Sequence, residues 1–564
     1  MKSLIIQTIK KALEKKKIKI SDEEIEKHLE APPSADLGDY AFPCFFLSGI
    51  MKQDPKRIAL IIRETIGNIP AELEDIQTEG PYVNFFLNRK DLASSVIDTI
   101  LKQKDAYGKA NMGNDKVMIE FSQANTHKAF HVGHIRGTSL GESLARILEF
   151  CGNKVIRANY QGDSGMHVAK WIWCYKKYHS REKIKNDESW IASIYVDAVE
   201  RLAKGEKLQE EVDIVNKSLE GGKNKELVEL WKKTRKLSLD AFEKIYKELN
   251  THFDFYFFEK DMEKDATRIV EDLLAKKIAI LSDGAAIMDL KKHNLGVWVL
   301  LRKDKTVLYS AKDLALAERK FNQYKIDRSI YVVGAEQKLH LHQLFKTLEL
   351  AGFPQAKKCE YVPVSEVRFP WGKMSSRTGD NVLYSELIKQ VADFAKKGIK
   401  KRTKKISDKE LEGRALKISI AAIKYSMLKQ NPNRNIIFKK EEAMNFEGDT
   451  GPYLLYSYTR ASSILKKSKA KISSKSKNLE QKEIELIKEL SKFPEITINA
   501  KKALDPSVIA NYSYHLAQVF NEFYHSCQVL NSENEAFRVS LVASFEQVLK
   551  NSLYLLGIEV LDKM

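Results

Sequence analysis

Three consecutive stretches limit the fold more than any other feature of the chain: KVMIEFS (Lys116–Ser122), HIRGTSLGESLARILEF (His134–Phe150) and KVIRANY (Lys154–Tyr160). The first is a short apolar run, the pattern of a strand covered on both faces. The second keeps apolar residues at helical spacing and stops at Cys151-Gly152-Asn153, with glycine where a helix C-terminus favours it. The third is a second strand. Strand, helix and strand in this order make a βαβ unit, the building block of a doubly wound parallel sheet.

A second strand–loop–helix occurs in RSIYVVGAEQKLHLHQLFKTLELAGF, with a strand to Val333 and a helix from about Leu339. Between the two units, residues from about 170 to 300 are charged and largely helical, with one short strand candidate, AAIMDL. They read as an insertion between two halves of one sheet. Residues 1–107 predict a small α+β domain: an amphipathic helix in SLIIQTIKKAL, a turn-rich APPSADLGDY, and a strand in GPYVNFFLN (Gly80–Asn88). GKANMGND (Gly108–Asp115) is a linker. The sheet domain covers 108–410, and 411–564 is helical throughout. Two lysine-rich stretches, KKGIKKRTKK and LKKSKAKISSKSK, read as solvated loops, with phosphate contacts as the alternative. The expected fold class is therefore multidomain α/β: a Rossmann-like parallel-sheet domain with a helical insertion, a small α+β N-terminal domain and an all-α C-terminal domain.

At 564 residues the chain exceeds one compact core. Its net charge, 94 − 76 = +18, suggests a polyanionic partner, nucleic acid before a membrane surface. The five cysteines are far apart and form no Cys-x-x-Cys pair, which excludes a disulfide framework and a cysteine zinc ribbon. A reducing, cytoplasmic setting follows. No run approaches the roughly 20 apolar residues of a membrane helix, so no membrane partner is expected.

The loop NTHKAFHVGH (Asn125–His134) lies between the first strand and its helix, where open parallel sheets bind ligands. A helix N-terminus offers free N–H groups and partial positive charge to a phosphate. Gly133 lets a nucleotide approach the backbone, and His131 and His134 can donate to phosphate oxygens. A metal would need a third ligand, for which His127 is near, and usually histidines four apart. Phosphate, metal and coincidence all stay open on this motif alone. A second loop, RFPWGKMSSRTGDNV (Arg368–Val382), carries Lys373 and Arg377, suited to neutralising a leaving polyphosphate. Glu120, an acid at the end of a buried strand beside the first loop, is a site candidate on physical grounds.

HVGH and KMSSR resemble HIGH and KMSKS, the two signatures of class I aminoacyl-tRNA synthetases. IEFSQANTHKAFHVGHIRG, YSAKDLALA, YVVGAEQKLHLHQLF, GDTGPYLLYSYTRA and the terminal LLGIEVLDKM are similar to arginyl-tRNA synthetase segments. The resemblance runs from APPSADLGDYAFP to Met564. It implies activation of L-arginine by ATP to arginyl-adenylate and pyrophosphate, then transfer of the arginyl group to the terminal ribose of tRNA(Arg). By the family pattern, His131 and His134 bind the ATP phosphates, with Gly133 and Gly334 close to the nucleotide. Lys373, with Ser375 and Ser376 on the same loop, draws out pyrophosphate. Mg²⁺ is expected with ATP, and no zinc. The arginine contacts implied are Glu120, Asn125, Tyr309, Asp313, Gln337 and Glu259. Without the family, Asp313 would pass as a helix N-terminal acid and Glu259 as a surface acid.

Two departures from the family matter. Ala124 stands where proline is frequent, and Ser376 replaces the second lysine of KMSKS, with Arg377 beside it. Lys128, just before the histidine pair, is expected to stand in. For tRNA, the resemblance points to Tyr456, Arg460 and Met564 at the anticodon loop, and to Asn84 in the N-terminal domain. Tyr456 in YLLYSY could equally be a core aromatic. The alternatives are another class I synthetase, a nucleotidylyltransferase, or a non-catalytic tRNA-binding relative. The last is disfavoured because His131, His134 and Lys373 are all present. Such enzymes are commonly monomers.

Overall fold

The computed structural model describes residues 2–205, 207–222, 224–370, 382–402 and 405–564. The chain forms two compact units: Met1–Lys104 with Ile464–Ser491 and Glu522–Phe545, and Asp105–Ser463 with Lys492–Asn521 and Glu546–Met564.

In the first unit, β1 (Tyr40–Pro43), β2 (Leu73–Glu79) and β3 (Tyr82–Leu87) make an antiparallel sheet in the order β1-β3-β2. Helix α1 (Lys2–Lys15) packs on α2 (Pro55–Ile66), which packs on β2 and β3. Asp54 caps α2 by accepting from Lys56 N–H, and Pro55 takes the first helical position, where a missing N–H does no harm. Helix α3 (Arg89–Gln103) begins at Asn88, whose side chain accepts from Asp91 N–H.

The second unit is built on a parallel sheet of β4 (Lys116–Glu120), β5 (Lys154–Gln161), β6 (Phe255–Phe258), β10 (Arg328–Gly334) and β11 (Cys359–Val364). Its order is β11-β10-β4-β5-β6. The chain runs from β4 toward β5 and β6, whereas β10 and β11 lie on the other side of β4. Loops leaving β4 and β10 therefore part from each other, which opens a crevice at their carboxyl ends. A separate antiparallel sheet holds β7 (Ile280–Ser282), β8 (Ala285–Asp289) and β9 (Val297–Leu301).

Helix α4 (Val132–Phe150) joins β4 to β5, and 16 of its 19 residues are buried. It lies so close to the chain after β4 that a Cβ at Gly141 would stand 2.1 Å from the Phe121 side chain. Its charged residues have to find partners inside the protein. Arg136, fully buried, donates to the carbonyls of Ser365 at 2.6 Å and Arg434 at 2.7 Å, with longer contacts to Glu366, Asn431 and Pro432. Glu142, also fully buried, accepts from Arg146 at 2.7 Å and from Arg157 at 2.9 Å.

The next helices are α5 (Met166–Tyr178), α6 (Glu188–Leu202), α7 (Lys207–Glu220) and α8 (Lys225–Glu248). They share a core that includes Trp171, Trp190 and Trp231. Farther along the chain, beyond a helix at Glu263–Ala275, come α9 (Tyr309–Tyr324), α10 (Lys338–Leu350) and α11 (Tyr384–Arg402).

The structure differs from the sequence expectations at two points. The span 170–300 is not one insertion: β6 belongs to the main sheet, and β7–β9 form their own. The run FYFF has no alternation to mark it as an edge strand. The stretch KKGIKKRTKK is not a loop up to Arg402, because it lies within α11. Leu387, Val391, Ala395 and Ile399 recur every four residues and are all buried, and lysine is a good helix former.

Replacing Arg136 by methionine leaves several buried carbonyls without a donor and is expected to lower stability by about 3 kcal/mol or more. The urea midpoint followed by tryptophan fluorescence reads this directly. Arg136→Lys recovers only part, since an ammonium cannot reproduce the planar fork. A methionine variant as stable as the parent would contradict the clamp.

Candidate active site

At the carboxyl ends of β4 and β10 the second unit opens into a cleft of ≈ 910 Å³. Its walls are the loops that follow β4, β5, β10 and β11, closed by the first turns of α9 and α10.

The loop after β4 is held under strain. Ser122, Gln123 and His127 have positive φ (77°, 46° and 63°), a conformation disfavoured for residues with a side chain. Helix α8 pins it in that shape. His127 is fully buried: its backbone N–H donates to Ser238 Oγ at 3.0 Å, and its Nε2 meets Thr234 Oγ1 at 2.7 Å. Ser122 Oγ lies 3.1 Å from the Tyr246 hydroxyl, and Thr126 N–H donates to the Gly162 carbonyl at 2.9 Å.

The two histidines cap α4 reciprocally. His131 Nδ1 accepts from Gly133 N–H at 3.1 Å, and His134 Nδ1 accepts from His131 N–H at 3.2 Å. An Nδ1 that accepts carries no proton, so a neutral ring holds its proton on Nε2. Both rings are neutral. Burial and the nearby Lys128 charge lower His131 to about 4, and burial, His131 and Lys128 hold His134 well below its ordinary value. Gly133 has a reason beyond nucleotide approach, since a Cβ there would stand 3.0 Å from the His131 ring that caps the helix.

Carboxylates line other parts of the same cleft. Glu120 faces the wholly buried Lys320 through Oε2 and accepts from Gln123 Nε2 at 3.2 Å through Oε1. Burial raises Glu259 to about 7; Lys312, 3.7 Å away, opposes the rise, and Asp313 and Asp163 add to it. Asp313 Oδ2 meets His340 Nε2 at 2.5 Å. Tyr309, one helical turn before Asp313 on α9, is 58% exposed. Asn125, Gln337 and Gly334 complete the set. Gly162 makes room for Asn125, whose Oδ1 would lie 2.1 Å from an added Cβ, and Gly334 does the same for the Glu336 carboxylate.

All six residues expected to meet arginine line this cleft, together with His131, Gly133, His134 and Gly334. Lys128 is not among the lining residues. Its ammonium lies 5.2 Å from the centre of the Tyr195 ring, and its charge helps to hold His131, His134 and His167 neutral. Lys373, Ser375, Ser376 and Arg377 lie outside the described residues. The segments flanking them are both tied to the start of α4: Arg136 holds the Ser365 and Glu366 carbonyls, and Tyr384 N–H donates to Phe130 O at 2.9 Å.

The residues expected to meet tRNA lie elsewhere. Tyr456 is 36% exposed and is not a core aromatic; the Arg460 guanidinium sits 4.8 Å over its ring. Met564 ends the chain half-buried, and Asn84 is buried on β3 in the first unit. Tyr160, His167, Glu336 and His340 also line the cleft and were not singled out from the sequence. Tyr160 could have been, because it stands near the carboxyl end of β5, the position that drew attention to Glu120. Its hydroxyl is held well above its ordinary range by burial and by Asp313, Glu259, Glu120 and Asp163.

A family model for the catalytic domain of class I (R) tRNA synthetases matches residues 96–440. An arginyl-tRNA synthetase N-terminal domain model matches 3–87, and a DALR anticodon-binding domain model matches 454–564. The arginine–tRNA ligase of Clostridium perfringens is 36% identical over 572 residues, covering 100% of both chains. That of Clostridium acetobutylicum is 37% identical over 566 residues, 98% of this chain and 100% of the relative. The solved arginyl-tRNA synthetase of Thermus thermophilus superposes with a TM-score of 0.82 at 26% identity, covering 100% of each chain. A parallel-sheet domain with a reciprocal imidazole cap, an acid-lined cleft and matches along the whole chain agree on one assignment: the chain belongs to the arginyl-tRNA synthetases, the class I arginine–tRNA ligases.

Proposed function

We propose that the cleft joins arginine to ATP through the residues lining it, before the arginyl group passes to the 3′ terminal ribose of tRNA(Arg). One observation supports this above the rest: a helix N-terminus bearing two neutral imidazole donors and a set of carboxylates open into the same cleft. A polyphosphate and a planar cation are the two groups that arginine activation brings together.

The arginine carboxylate attacks the α-phosphate in line; a C–O–P bond forms and the bond to pyrophosphate breaks. Little covalent chemistry falls to the protein, so positioning and charge stabilisation dominate. His131 and His134 donate from Nε2 to phosphate oxygens as their charge grows, with Gly133 and Gly334 against the nucleotide. Lys373, with Ser375 and Ser376, withdraws pyrophosphate, and Lys128 supplies the positive charge that the second lysine of the loop would have given. Mg²⁺ enters with ATP as part of that substrate. Glu259 and Asp313 face the guanidinium, with Tyr309, Gln337 and Asn125 around it. Glu120, neutralised by Lys320, contributes an acceptor rather than net charge.

Among the described residues, two groupings have metal-ligand chemistry: Cys174, His179 and Asp197, and Glu480, Glu483 and Cys527. In each an arginine already pairs with a carboxylate, Arg201 with Asp197 and Arg538 with Glu483, both at 2.7 Å. These pairings speak against a metal at either grouping. Residues 108–410 would activate arginine, 411–564 read the anticodon and 1–107 touch the body of the tRNA. Tyr456, paired with Arg460, presents a ring to an unpaired base of the anticodon loop, with Met564 as a second contact there, whereas the burial of Asn84 takes it out of direct tRNA contact. A reducing, cytoplasmic setting fits five buried free thiols.

ATP–pyrophosphate exchange with tRNA present tests the site. Exchange is expected with arginine alone among the amino acids, and Lys128→Ala lowers adenylate formation by about two orders of magnitude in a single-turnover measurement. Unchanged adenylate formation in that variant would remove Lys128 from the reaction.

Glu259 makes arginine recognition depend on pH. Its carboxyl is raised to about 7, and only the ionised form pairs with a guanidinium, which stays protonated throughout. Affinity is thus complete well above pH 7 and falls as pH drops through it, with KM for arginine rising up to about tenfold per unit below it. KM for ATP should not follow, and Glu259→Gln should flatten the profile. A flat parent profile between pH 6 and 8 would contradict the assignment.

A further inference from the structure

One imidazole outside both signature motifs ties together two of the proposed arginine contacts. His340, on α10, meets Asp313 Oδ2 through Nε2 at 2.5 Å. Its Nδ1 lies 3.2 Å from the indole Nε1 of Trp298. An indole N–H can only donate, so Nδ1 is the acceptor, and a ring with one proton carries it on Nε2, aimed at the carboxylate. The His340 ring also lies against Tyr309, with centroids 4.8 Å apart. His340 and Trp298 are 9% and 5% exposed. Trp298 comes from β9, Tyr309 and Asp313 from α9, and His340 from α10, so three elements meet at one ring.

Asp313 needs such a partner. Its side chain keeps 20% of its surface, enough for the carboxylate to turn toward water if nothing held it. Any carboxylate attracts a cation. Only a fixed one presents its free oxygen in the direction a planar guanidinium fork requires. With Oδ2 engaged by His340, Oδ1 is left for substrate.

We propose that His340, oriented by Trp298, is a positioning residue for arginine recognition: it fixes the Asp313 carboxylate and the Tyr309 ring in the arrangement that receives a guanidinium. This rests on the reading of Tyr309 and Asp313 as substrate contacts.

The test is steady-state aminoacylation by the full chain with ATP and tRNA, varying arginine and ATP in turn. For His340→Ala, KM for arginine is expected to rise about tenfold or more, the loss of one well-placed hydrogen bond, while kcat and KM for ATP stay within about threefold. His340→Gln sets an amide N–H near the place of Nε2 and should recover most of the loss. Trp298→Phe keeps a ring but removes the donor, and should raise KM for arginine by about threefold. An unchanged arginine KM in His340→Ala, equal defects in the alanine and glutamine variants, or a matching rise in KM for ATP would each overturn the proposal. If the alanine variant does not fold, the glutamine and phenylalanine variants decide: a glutamine variant that loses arginine affinity, or a phenylalanine variant indistinguishable from the parent, overturns it. Asp313→Asn separates the two levels. If it leaves arginine KM unchanged, the substrate pocket itself is misassigned; if it raises KM while the His340 variants do not, only the positioning role fails.

Discussion

Burying a whole helix with its polar residues is the constraint on which the rest of the second unit depends. Helix α4 has almost no solvent face, so its free N–H groups, its arginines and its glutamate cannot rely on water. At its start the N–H groups are taken by imidazole Nδ1 atoms. In its second turn Arg136 collects carbonyls from the segments after β11 and around Asn431–Arg434. Farther along, Glu142 is shared by two arginines. Each solution has a consequence beyond stability. The cap sets which nitrogen of each histidine carries the proton, and so turns two neutral donors toward the cleft. The arginine clamp ties the chain before residues 371–381 to the helix that presents those donors.

The helical region α5–α8 acts on the same site from outside. Three residues of the loop after β4 sit at positive φ without being glycine, a conformation costing of order 1 kcal/mol or more at each. Thr234, Ser238 and Tyr246, all on α8, supply hydrogen bonds that hold the loop there. These helices thus keep a strained binding loop in one shape, a supporting role that rigid sites need. It also keeps His127 out of metal chemistry: that imidazole is buried against two threonine hydroxyls and does not join His131 and His134.

The βαβ unit was legible in the sequence because its apolar periods are strong and its helix ends at a glycine. The placement of His131 and Glu120 followed, since the carboxyl ends of parallel strands are where such folds bind ligands, whereas Gly334 came from the family resemblance. Other features leave no local trace. Trp298 and His340 are 42 residues apart on different elements, and only packing brings the indole to the imidazole. The Lys320 ammonium under Glu120 comes from a helix 200 residues later and alters what that carboxylate can do. Lysine content misled over residues 396–402, where charge suggested a solvated loop while buried residues at every fourth position made a helix. The run FYFF gave no alternation by which to separate an edge strand from a helical insertion. No motif singled out Asn84 within the N-terminal domain, and the fold gives it a buried strand position that its sequence neighbours do not announce.

The buried helix start fixes His131 and His134 as neutral rings with the proton on Nε2. Nitrogen-15 NMR of histidine-labelled enzyme at pH 7 reads this directly, with the His131→Gln and His134→Gln variants assigning the two rings. In each, Nδ1 is predicted to resonate as an unprotonated acceptor and Nε2 as a protonated nitrogen, with no shift toward imidazolium until the pH falls to about 4 at His131. A proton on Nδ1 of either ring, or an imidazolium at pH 7, would contradict the account.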